Sequence, residues 1–172
     1  MINIKTKNEK IKSMFEQVLQ EIKRDDICNI NVDIIVLESN VEYLKYFYNI
    51  RNFFENVYYM NVNSNILAFS CEHYDKIFIL SHRYDLTDSR ERLELIRTLI
   101  HEMQHQYQRQ KTPMWYSMAK RVEMVNKVRL HKLLDREISP LEKDANDTAN
   151  HIMNKNIDKF LEIIRDGDNI NG

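Results

Sequence analysis

The chain has 172 residues, 43% hydrophobic and 30% charged, and its 25 Lys and Arg nearly balance 26 Asp and Glu for a formal net charge of −1. That is enough apolar chain to bury one ordinary core, and the charge balance excludes an overall demand for nucleic acid or an anionic membrane. Two cysteines are too few for a disulfide framework or a four-cysteine zinc site, and the two glycines, Gly167 and Gly172, lie in the tail, which excludes glycine-rich phosphate loops.

The opening MINIKTKNEKIK lacks the apolar segment of a signal peptide, and no run approaches about eighteen apolar residues, so the expectation is a cytoplasmic protein with no membrane span. Residues 8–24 place Ile11, Phe15, Val18, Leu19 and Ile22 on one helical face. The β-branched run NVDIIVL, residues 31–37, reads as a strand. Residues 40–56 mix periods, and Leu44, Phe47, Tyr48 and Arg51 suit a helix. ILAFSC (66–71) and KIFILS (76–81) flank the turn EHYD and read as a hairpin. Asp88-Ser89-Arg90-Glu91 is a capping box opening a long helix, along which Leu93, Ile96, Ile100, Met103 and Tyr107 make an apolar stripe widened by Leu95 and Leu99. Thr112-Pro113 opens another helix to about residue 134, and Ser139-Pro140 a last one to about residue 164, before a frayed tail over 166–172. The fold expected is one α+β domain over residues 1–165: a short, mostly antiparallel sheet packed on the long helix, with further C-terminal helices.

The long helix carries His101-Glu102-Met103-Gln104-His105. Residues four apart on a helix lie one above the other, so both imidazoles can reach one metal ion. Glu102, between them, can hold a zinc-bound water and take its proton. Chance would place such a string in roughly one or two of a hundred shuffled chains, so context has to carry it. The two histidines fall about 140° from the middle of the apolar stripe, near Glu94, Thr98 and Gln108, which predicts one buried side and one side facing a cleft.

A catalytic zinc site needs a third protein ligand. No histidine lies between His105 and His131, and the candidate is Glu142, in the first turn of the helix that Ser139 caps. Ser139 and Glu142 also fit an S-x-x-E capping box, so a cap for its own helix is the competing role of that carboxylate. Asp144, His131 and His151 are the reserve ligands, in that order. Gln108, one turn beyond His105, is a candidate outer partner of the site.

HEMQHQYQ resembles the HExxHxxQ helix of SprT-like zinc proteases and phage-encoded metallopeptidases, and PLEKDANDTA is similar to the element that follows HExxH in ImmA/IrrE-like peptidases. The resemblance covers roughly residues 60–155. It implies a zincin fold, Zn2+ held by His101, His105 and Glu142, Glu102 as general base, and Asn146 where relatives place an acidic outer partner. The chain departs from these families in lacking a further histidine soon after the motif and a cysteine ribbon, and in carrying Gln104 where the ImmA/IrrE group has glycine.

The function expected is zinc-dependent hydrolysis of peptide bonds in a protein or peptide substrate. Tyr116, His73, His131 and His151 are available to stabilise the oxyanion, and spacing distinguishes none of them. Lys120, Arg121, Lys127, Arg129 and Lys132 leave a weak nucleic-acid surface open. The plainer alternative is a solvated face beside a core of Met118, Val122, Val125 and Val128, with Trp115 and Tyr116 packing rather than stacking on bases. Two further classes stay open: a zincin-fold binding or regulatory module with negligible turnover, and a metal-free α-rich interaction protein. Substrate, pathway and oligomeric state are not encoded in any motif.

Overall fold

The computed structural model describes residues 1–39, 42, 67–71, 75–130 and 139–169. The expected helix over 40–56, together with His73 and His131, lies outside them. Strand β1, Ile2–Lys5, turns Ile2 and Ile4 towards the core and Asn3 and Lys5 outward, where both bind the Asp33 carboxylate. Helix α1, Glu9–Glu21, starts at Asn8, whose side-chain oxygen accepts from the amides of Lys10 and Ile11. It buries Ile11, Met14, Phe15 and Val18 at the spacing read from the sequence.

Strand β2, Val32–Leu37, is followed by β3, Ala68–Cys71, and β4, Lys76–Leu80, and the four strands run in the order β1-β2-β4-β3. The α+β class holds, and β3 and β4 form the expected antiparallel pair. The sheet as a whole is mixed, however, not mostly antiparallel, because β1 with β2 and β2 with β4 are parallel. The reason is connectivity. A hairpin joins neighbours in sequence and is visible as two runs and a turn, whereas parallel partners are joined by crossovers that hydrophobic period does not reveal. Strand β1 itself was not expected, since four alternating residues give too little signal beside the helix that follows.

Helix α2, Ser89–Lys111, is capped by Asp88, which accepts from the Arg90 amide at 2.8 Å. Leu95, Ile96, Leu99, Ile100 and Met103 are fully buried in the core shared with the sheet and α1. The other side of α2 is buried too: Thr98, Glu102, Gln104, Gln106 and Gln108 are all nearly inaccessible, so the expected contrast between a buried and an open side reduces to a narrow cleft. Thr112 closes α2, and helix α3, Pro113–Leu130, begins with proline at its first position, where no amide is needed.

Helix α4, Pro140–Asn169, packs along α2 and buries Ala145 and Ala149. A kink at Asn156 (φ −119°, ψ 15°) accompanies a hydrogen bond from its own side chain to the Ile152 carbonyl. The helix continues to Asn169, so the segment expected to fray from residue 166 is helical as far as it is described. Among the described residues, no helix is long and apolar enough to cross a membrane.

Candidate metal centre

His101 and His105 stand one turn apart on α2, and their Nε2 atoms are 3.1 Å from each other. Glu142, in the first turn of α4, reaches both: Oε2 lies 3.3 Å from His101 Nε2 and Oε1 3.3 Å from His105 Nε2. Ser139 caps α4, accepting from the amides of Leu141 and Glu142, while the Glu142 side chain turns to the histidines. The capping box is therefore half used, and the carboxylate is spent on the imidazoles.

Two ligands about 2.05 Å from an ion at the tetrahedral angle lie about 3.3 Å apart. The three separations here match that edge length, and the donor set of two imidazole nitrogens and a carboxylate suits a divalent ion of borderline softness. His101, His105 and Glu142 are the group of described residues whose donor atoms converge enough to hold a metal.

Glu102 lies beside this group and is 7% exposed. Burial drives its carboxyl pKa up, against the opposing charges of His105 and His101 and a hydrogen bond from the Ser70 amide of β3. For His105, burial works against the charged ring, but hydrogen bonding to Glu142 and the charges of Glu102 and Glu142 leave its pKa raised. The bonds to His101 and His105 hold Glu142 far below the usual carboxylate range.

The other sequence candidates separate cleanly. Gln108 is in the outer layer, its Oε1 3.0 Å from His105 Nδ1. Asp144 is no ligand here, because its Oδ2 accepts from the side chains of Gln104 (2.7 Å) and Gln108 (2.8 Å). Asn146 accepts from Arg97 at 2.9 Å and clamps α4 to α2 without touching the three converging groups. His151 is exposed and nine residues beyond Glu142, about 13 Å further along the helix, out of reach of the same ion.

Gln104 and Gln106 are the residues that sequence reasoning missed as parts of the site. Gln106 is fully buried and donates to Ser70 Oγ and the Lys76 carbonyl, tying α2 to the hairpin that carries Ser70. A glutamine on a polar helix face reads as solvated, and only the strand packed over it reveals otherwise.

His101, His105 and Glu142 open onto a cleft of about 310 Å³, walled by Ala68, Phe69 and Ser70 of β3 and by Tyr116 and Lys120 of α3. Phe69 stacks on its cross-strand partner Phe78 with ring centroids 5.1 Å apart, which stiffens that wall. Lys120 lies over the Tyr116 ring at 5.8 Å. Arg109 also lines the cleft and pairs with Asp75 before β4.

The remainder of α3 departs from expectation. Met118 is 62% and Val122 48% exposed, so neither belongs to the core, and Trp115 is 40% exposed; the side chains of Val125 and Val128 lie outside the described residues. Among the described side chains of this helix, Ala119 is the buried one. No protein-family model, curated protein or solved structure matches the chain.

Proposed function

We propose that the protein is a zinc metallopeptidase of the zincin type, with His101, His105 and Glu142 as ligands and Glu102 as general base. The observation that carries this reading is the convergence of two Nε2 atoms and one carboxylate, 3.1–3.3 Å apart, next to a buried carboxylate that is not part of the trio. Bound there, zinc would supply Lewis acidity towards both an attacking water and a scissile carbonyl.

The chain's own groups supply the rest. Glu102, its basicity raised by burial, accepts a proton at its carboxylate and returns it to the leaving nitrogen. Ser70 of β3 lines the same cleft as that carboxylate. Among the described residues, strand β3 is last in the sheet order, and it lines the cleft, where an extended peptide can lie along it. Tyr116 lines the cleft, which makes it the oxyanion candidate among the described residues. The reading brings with it a protein or peptide substrate and a cytoplasmic setting, in keeping with only two cysteines.

The decisive variant is Glu102→Gln. It should retain zinc and lose peptide hydrolysis by about 10²–10⁴-fold, measured on a quenched-fluorescence peptide library. Wild-type protein that holds zinc yet cleaves nothing in that library would replace the enzyme with a zincin-fold binding module.

A further inference from the structure

Gln108 is 1% exposed, and every polar atom of its amide is accounted for. Its Nε2 donates to the Leu141 carbonyl at 3.1 Å and to Asp144 Oδ2 at 2.8 Å, so both N–H bonds are used. Only Oε1 remains to face His105 Nδ1, 3.0 Å away. An oxygen in that position requires the ring hydrogen on Nδ1, which leaves Nε2, the atom facing Glu142 and His101, free of it in the neutral ring. Turning the amide over would present N–H to Nδ1 and favour the hydrogen on Nε2, where a metal must find a lone pair. The Leu141 carbonyl and the Asp144 carboxylate together oppose the turn, and Asp144 is the side chain of the two. The same Oδ2 also accepts from Gln104 at 2.7 Å, so α2 grips one carboxylate oxygen from two positions a turn apart. That carboxylate stands two residues from Glu142 in α4.

We propose that Asp144 is a positioning residue: acting through the Gln108 amide, it fixes the hydrogen of His105 on Nδ1 and keeps Nε2 available to the ion, with Gln104 bracing the carboxylate. The proposal rests on the metal-centre reading, but its first link, the orientation of the amide, does not need a metal. The device serves one ring of the pair, because His101 Nδ1 is buried without a hydrogen-bond partner among the described residues. The residue expected as a reserve ligand thus acts on the site from one layer out.

The test compares Asp144→Asn with Asp144→Ala in the full chain. Asparagine can place its single oxygen where Oδ2 accepts both amides, so it preserves the orientation while removing the charge that a ligand would need. Nitrogen-15 NMR of the histidine side chains, with and without zinc, reads which ring nitrogen of His105 bears the hydrogen. Competition against a chromophoric chelator reads zinc affinity.

The expected result is a slowly exchanging Nδ1–H on His105 in wild type and in Asp144→Asn, and a faster-exchanging one in Asp144→Ala, where the Leu141 carbonyl alone holds the amide. Zinc binding should stay within about threefold of wild type in Asp144→Asn and weaken about 10–100-fold in Asp144→Ala. Should Asp144→Ala not fold, Gln108→Leu removes the same amide and should lose the same Nδ1–H. A bare Nδ1 in wild type overturns the proposal, as does equal zinc loss in the Asn and Ala variants, which would mean that Asp144 acts by charge. Wild type that binds no zinc, but whose Nδ1–H still depends on Asp144, overturns the metal-centre reading and upholds the orientation of the ring.

Discussion

Glu102, His105 and Glu142 all have shifted pKa values, and the sign of each can be measured without a substrate. His105, whose pKa is raised in the fold, adds stability that is complete below its ordinary value of about 6.5 and is lost as pH rises through the folded value. Glu102, also raised, works in the same sense, since its buried carboxyl costs stability once the unfolded chain would ionise. Glu142, held low, contributes stability that is present above its ordinary value and is lost only as pH falls towards the depressed one. Metal-free protein should therefore show a Tm that falls as pH rises above about 6.5, and zinc-loaded protein a Tm that holds or rises over the same range, because metal binding displaces the ligands' protons into solvent. Scanning calorimetry with and without chelator checks this; a metal-free Tm that climbs over that range would contradict the assignment of charges.

At the scale of elements, the first turn of α4 connects fold stability to the site. Ser139→Ala and Asp88→Ala each remove a helix cap and should each cost about 1 kcal/mol in urea unfolding. Zinc affinity should drop in the first variant alone, since Ser139 fixes the turn that carries Glu142, whereas the Asp88 cap is more than three turns from His101. Equal affinities in the two would mean that Glu142 does not depend on its helix start. Elements of this kind were legible in the sequence because their signals are local: Asp88 and Ser139 as caps, the Ile11–Phe15–Val18 face of α1, and the two runs of the hairpin around EHYD. Strand β1 and the parallel sense of the sheet were not, because they depend on which distant strand lies alongside. Likewise, His101, Glu102 and His105 follow from helical spacing, while the burial of Gln104 and Gln106 depends on α4 and β3 being packed over them.

At the scale of the molecule, one core joins α1, the sheet, α2 and α4, and no described side chain of α3 belongs to it. Leu99→Ala, at a fully buried position between these layers, should cost about 2–5 kcal/mol. Met118→Ser should change stability by about 0.5 kcal/mol or less, although both residues read as apolar stripe positions in the sequence. Chemical denaturation of the two variants side by side separates them; a large loss in Met118→Ser would return α3 to the core. The apolar period of α3 looked like a core face because period reports that a helix has two sides, not which side the rest of the chain covers.

The measurement that bears most directly on the central claim is elemental analysis of protein purified without chelator, wild type beside His105→Ala and Glu142→Ala. The account predicts near-stoichiometric zinc in wild type and its loss in both variants, because both supply donor atoms to one convergent group. Zinc retained in Glu142→Ala would remove that carboxylate from the site, and no zinc in wild type after loading with the metal would contradict the metal centre and the enzyme together.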